Sequence, residues 1–294
     1  MSGRFSLVPF GAAAPPGAVT CDGLVEGARL DLTHWRGNRT PPSLKRDTSV
    51  EIALAFARDA SPADTAHVVN NHFDTDGVLA VWTLLSPHRA AEHAGLVVAA
   101  AEAGDFDEWP SDERGLRLDA AIAAMARGLD ERAAYERVLG ALDDLVEHLD
   151  ARDDLWGAAW SDLSAARSRA RAGALGVESL GPIAILHHEP GLAELPGPVL
   201  HQAAPAGATR WLLAFEEADG RFRYRYEMPR HAWADTVRRP TLTSPAKNAL
   251  IADLGSGWAI KGGLGMTGLL RSTTPVPMPP AEVASRLRAR DRWA

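Results

Sequence analysis

Residues 66–100 constrain the fold more than any other stretch of the chain. Ala66-His67-Val68-Val69 reads as a short strand, and Asp74-Thr75-Asp76-Gly77 as the turn after it. From Val78 to about His93, Leu79, Trp82 and Leu85 recur at helical spacing. Leu96-Val97-Val98-Ala99-Ala100 is then an unbroken apolar run of buried-strand length. Strand, turn, helix and strand in succession predict an α/β domain on a parallel sheet, where sites form at the carboxyl ends of strands. Two acidic turns, 72–76 and 102–107, fall at such ends.

The flanking sequence sets the organisation. Residues 1–47 are rich in Gly, Pro and Thr, and 30–42 reads as a strand end entering a long loop. Thr48 and Glu51 have the spacing of a capping box, which Ile52, Leu54, Ala55 and Phe56 continue as a short helix. Residues 112–172 read as helical throughout, with Tyr135, Val138, Leu142, Leu145 and Leu149 in helical register. Past Gly173 the pattern predicts strands at 182–186 and 210–215, a hairpin turn at Ala218-Asp219-Gly220 into 221–227, and a helix over 245–254. A Gly-rich run, 261–268, and a Pro-rich linker with a short tail helix follow. The expected fold is two-domain α/β. It comprises a parallel-sheet N-terminal domain over 1–111, a helical connector or hairpin over 112–175, and a smaller mixed α/β C-terminal domain over 176–294.

Composition narrows the function classes. Hydrophobic residues make up 46% of the 294 and charged residues 23%, an ordinary globular balance. A net charge of −7 argues against long nucleic acid as a partner. Cys21 is the only cysteine, which excludes an intrachain disulfide and a Cys-type metal site. Met1–Pro9 lacks the apolar core of a signal peptide, and no window reaches the length of a membrane helix. The expected setting is the cytoplasm, with no membrane partner. The Ala- and Arg-rich stretches match the codon bias of a GC-rich bacterial genome. The sequence leaves room for an oligomer.

The acidic turn carries the chemistry. His72, Asp74 and Asp76 are three potential ligands at alternate positions, and as a strand opens into a turn such side chains can converge. Imidazole and carboxylate together suit manganese, magnesium or another divalent ion. Such an ion generates hydroxide near neutral pH or clamps a phosphoryl oxygen. The second turn offers Asp105 as a further ligand, with Glu102 as its alternative. Arg36 and Arg39 supply planar donors for phosphate, or else pin the N-terminal arm around Trp35. Arg221, Arg223 and Arg225 alternate with aromatic residues, as expected of a base-binding strand and equally of a half-exposed hairpin.

The run His72-Phe73-Asp74-Thr75-Asp76-Gly77-Val78-Leu79-Ala80 resembles the first motif of the DHH phosphoesterase superfamily, with His72 in place of its first Asp. That resemblance implies manganese-binding roles for His72, Asp74 and Asp76, the two aspartates also being catalytic. Residues 181–270 are similar to the DHH-associated C-terminal domain, whose glycine loop holds the substrate's phosphate end. The resemblance there implies substrate contacts at Gly262, Gly263, Gly265 and Thr267. The namesake Asp-His-His is absent; the adjacent pair His187-His188 either contributes ligands by another route or forms a loop pair beside Glu189. Phe73–Leu79 also looks like the haloacid-dehalogenase signature, with Asp74 as covalent nucleophile and Asp76 as acid/base. The polar Asn70-Asn71-His72 lead-in and the immediate helix favour the DHH arrangement.

The resulting expectation is a manganese-dependent hydrolase acting on a small phosphorylated or nucleotide substrate through activated water. The alternatives are a binding protein without phosphoesterase activity on the same fold, and the dehalogenase-type phosphatase.

Overall fold

The computed structural model describes residues 5–59, 66–252, 254–261 and 267–291. The chain divides into two units, Met1–Asp162 with Ala234–Pro240, and Leu163–Trp233 with Thr241–Ala294. Both are α/β, and no helix among the described residues is long and apolar enough to cross a membrane.

The first unit is built on a four-stranded, wholly parallel sheet of β1 (Phe5–Leu7), β4 (Ala66–Val69), β2 (Val19–Cys21) and β3 (Leu30–Leu32), in that order. The strands are short, with β2 wholly buried and β1 and β4 buried in part, and their carboxyl ends leave along one edge, as parallel pairing requires. Helix α1 (Ser49–Asp59) starts at the expected capping box: Thr48 N–H donates to Glu51 Oε2 at 3.1 Å, and Glu51 N–H to Thr48 Oγ1 at 3.2 Å. Helix α2 (Thr75–Leu85) follows β4 with Asp74 as its N-cap, and α3 (Pro87–Glu92) continues after a break at Ser86. The break arises because Pro87 has no N–H to donate to the preceding turn.

Two expectations are corrected here. The apolar run 96–100 is no strand; it lies inside helix α4 (Ala94–Phe106). A short apolar run fits a buried strand and a buried helix equally. The alanines at 99, 100, 101 and 103 favour the helix. Residues 112–175 do not act as a connector. Helices α5 (Arg114–Ala126) and α6 (Glu131–Glu147) place Leu118, Ile122, Tyr135 and Leu142 in the same core as Val50, Val68, Leu79 and Trp82. The seventh helix, α7 (Asp153–Arg169), carries the unit boundary, and residues expected to be connector form strand β5 (Leu175–Leu180).

The second unit is a six-stranded mixed sheet. Its order is β5, β6 (Ile183–His188), β7 (Arg210–Glu216), β8 (Phe222–Glu227), β10 (Gly268–Ser272) and β9 (Trp258–Ile260). Among the described residues only its β6–β7 pair is parallel. Helices α8 (Gly197–Ala203), α9 (Lys247–Ile251) and α10 (Pro280–Arg290) complete the unit. The alternation in β8 is that of a hairpin with one buried face. Tyr224 and Tyr226 are buried, their hydroxyls donating to Met278 O and Asp291 Oδ2. Arg221, Arg223 and Arg225 pair with Asp219, Glu217 and Glu194. The aromatic residues are core, so they offer no stacking platform to bases.

Candidate metal centre

The carboxyl ends of β2, β3 and β4 deliver the site. Asp22 stands one residue past β2, His34 two past β3, and His72, Asp74 and Asp76 follow β4 into the first turn of α2. Asp105, in the last turn of α4, completes the set.

These six side chains form two groups that share one member. Asp22, His34, Asp76 and Asp105 each offer a ligand atom within 4.8 Å of the others, and so do Asp22, His72 and Asp74. His72 Nε2 lies 2.9 Å from both Asp22 Oδ2 and Asp74 Oδ2. His34 spans the other group, with Nδ1 3.3 Å from Asp76 Oδ2 and Nε2 3.2 Å from Asp105 Oδ2. The expectation that His72, Asp74 and Asp76 gather round one point is therefore corrected. Asp74 caps α2 while Asp76 lies within its first turn, so the two point to different sides and Asp76 turns towards His34.

Four of the six are oriented by a neighbour outside the cluster, an arrangement that suits metal ligands. Asp76 accepts from the backbone N–H groups of Ser49 and Val50, at 2.7 and 2.8 Å, and so also caps α1. Asp74 accepts from Gly77 N–H at 2.8 Å. Asp22 Oδ1 accepts from Ser49 Oγ at 2.8 Å. Asn71 Oδ1 lies 3.0 Å from His72 Nδ1, which aims Nε2 at the carboxylates. The Trp35 ring packs 5.0 Å from the His72 ring. Asp22 has left-handed backbone, φ +45°, uncommon for a residue with a β-carbon and concentrated at functional sites.

The electrostatics are those of crowded acids. Burial, then the charge of Asp74, pushes Asp22 up to about 6. Burial and the Asp74 charge raise Asp105 as well. Burial alone would lower His72, but its bonds to Asp22 and Asp74 outweigh it and hold the imidazole at about 11. His34 is likewise held up, against its burial, by Asp105 and Asp76. Four carboxylates, two of them raised by burial and neighbouring charge, face two imidazoles held in the cationic form, and divalent cations could take over from those protons. Hard oxygen and borderline nitrogen donors fit divalent manganese or magnesium. Two such ions would balance four carboxylates with both imidazoles neutral.

The other sequence-derived candidates have other contacts. Glu102 pairs with Arg238 and Arg239. Arg39 forks onto Asp31 and reaches Ala28 O, clamping its own loop. Arg36 is exposed, and its charge bears on Asp235. His187 pairs with Glu216, and His188 is buried against Phe215; both belong to β6 of the second unit, whereas all six cluster members belong to the first. Thr267 is buried, its carbonyl accepting from Met228 N–H. Gly262, Gly263 and Gly265 lie outside the described residues. Sequence reasoning missed Asp22 as a ligand, and read His34 only as part of a polar loop. The signal for both was their position just past two short runs with apolar ends, Val19-Thr20-Cys21 and Leu30-Asp31-Leu32.

Fold and site together define an α/β protein with a buried Asp/His constellation at the carboxyl edge of a parallel sheet. The chain belongs to a family of unknown function, DUF6687, whose model matches residues 3–257. No curated protein and no solved structure matches it.

Proposed function

We propose that the chain is a cytoplasmic, metal-dependent hydrolase of DHH-like type that cleaves small phosphorylated or nucleotide substrates. The observation that carries this reading is Asp22, common to two ligand groups and so suited to bridge two cations. Divalent ions, manganese first, would supply a water ionised near neutral pH and a Lewis-acid contact to a phosphoryl oxygen. The chain's own part is to hold Asp76 on the α1 N–H groups, Asp74 on Gly77 and His72 on Asn71, so that the donors are fixed before substrate arrives. The motif behind the DHH resemblance supplies three of the six members, and His34 provides a second imidazole where Asp-His-His is missing. Asp74 has one oxygen capping α2 and the other against His72, which suits a ligand better than a covalent nucleophile.

The test is elemental analysis of protein purified without chelator, paired with a phosphoester panel assayed with and without manganese. Bound metal and manganese-dependent turnover are expected, both lost in Asp22→Asn. Metal without turnover on any ester would leave a binding protein. Absence of metal uptake would sink the metal reading altogether.

A further inference from the structure

Asn70 stands one residue past β4 and borders this site, yet it is a ligand in neither group. Its side chain is deeply buried, the residue being 5% exposed. Oδ1 accepts from His72 N–H at 2.9 Å. That bond fixes the amide's orientation, since an N–H must face the oxygen and the NH2 must then be the end turned inward. Nδ2 has no hydrogen-bond partner, although buried donors almost always find one.

The surroundings of Nδ2 say what is expected there. A Cβ built on Gly77 would lie 2.6 Å from Asn70 Nδ2, 2.9 Å from Asp74 Oδ1 and 3.1 Å from Asp22 Oδ2. A free donor and two ligand-type oxygens therefore crowd one small space beside Gly77, too tight there for a methyl. Helix α2 begins beside it, with the positive end of its dipole towards the space. A donor there serves an oxygen held next to Asp22 and Asp74.

We propose that Asn70 Nδ2 is the oxyanion donor of the site, binding a non-bridging oxygen of a phosphate ester or of inorganic phosphate. The proposal rests on the metal-centre reading, because four carboxylates repel an anion until cations answer their charge. The probe is inorganic phosphate, titrated calorimetrically into the full chain with and without saturating manganese. Wild type should bind phosphate only when manganese is present. Asn70→Ala should weaken that binding at least about tenfold while manganese affinity and stoichiometry stay unchanged. Asn70→Asp keeps the acceptor for His72 N–H and puts a carboxylate oxygen where the inward donor was; it should lose phosphate at least as far, and by keeping the bond to His72 it separates loss at the inward end from collapse of the strand end. Undiminished phosphate binding in both variants overturns the assignment. So does manganese-loaded wild type that ignores phosphate, or an equal loss of metal and phosphate. Wild type that takes up no manganese defeats instead the metal-centre reading beneath it.

Discussion

At Asp22 the backbone sits at φ +45°, where a side chain with a β-carbon meets strain of order 1 kcal/mol. Asn tolerates the same conformation, so Asp22→Asn should fold with an unchanged circular-dichroism spectrum. It should nonetheless bind manganese about a hundredfold more weakly, since it removes the one carboxylate both groups share. Unchanged manganese titration in that variant would contradict the bridging role. Gly77 is constrained by space rather than by dihedral. Alanine in the first turn of α2 gains up to about 1 kcal/mol of helix propensity. Its methyl, however, meets Asn70, Asp74 and Asp22 at 2.6–3.1 Å, and none of these is the loose end of a flexible chain. Overpacking of that kind costs about 1–3 kcal/mol. Gly77→Ala should therefore lower the urea midpoint and weaken manganese binding together, and a stabilised variant with intact metal binding would refute the crowding.

At the scale of elements, the segment 234–240 ties the start of α1 to the end of α4. Asp47, fully buried, accepts from the backbone N–H of Val237 and Arg238 and pairs with both Arg238 and Arg239. Arg239 also pairs with Glu102 and Glu108 and lies over the Phe106 ring, next to Asp105. Burial alone would raise the Asp47 carboxyl, but the backbone donors and guanidinium groups outweigh it and hold it below its ordinary 3.8. A depressed folded-state value means stabilisation that is present above the unfolded value and lost as pH falls through the folded one. Asp47→Asn should thus cost about 1.5–3 kcal/mol at pH 7, with the gap to wild type closing below about pH 4. A gap that is independent of pH would show that shape, not charge, holds the segment. The sequence made α1, β4 and the acidic turn readable because the capping box, the Val68-Val69 pair between turn residues and the Asp-Gly turn are local signals. It hid α4, since five apolar residues do not tell a buried strand from a buried helix. It hid Asp22 and His34 because β2 and β3 are three-residue strands, too short for periodicity to register. Their convergence with His72 depends on the strand order β1-β4-β2-β3, which no local pattern encodes.

For the whole molecule, the two cores draw on different residues. One is organised by Val68, Leu79, Leu118 and Tyr135, the other by Ile185, Leu212, Tyr226 and Leu287. The alternation of strands and helices made the α/β class and the parallel first sheet legible. The pairing of β5 with β6 was not, because Leu175-Gly176-Val177-Glu178-Ser179-Leu180 buries only Leu175 fully and carries Gly176 within it, leaving little strand pattern to read. The second core is locked by a buried ion pair. Arg210 forks onto Asp291, with contacts of 2.7 and 3.2 Å, and Tyr226 donates to the same carboxylate at 2.8 Å. Arg210 also donates to the carbonyls of Thr209 and Thr243, but removing the carboxylate takes away the counter-charge it forks onto. Losing one partner of such a pair costs about 3–5 kcal/mol, more than the pair itself contributes over an apolar substitute. Asp291→Ala should accordingly speed hydrogen exchange in β6, β7 and β8. Since all six cluster side chains lie in the first unit, manganese affinity should stay at the wild-type value. A variant that loses manganese in step with exchange protection would mean the metal centre depends on the second core, and the two units would then have to be treated as one cooperative structure.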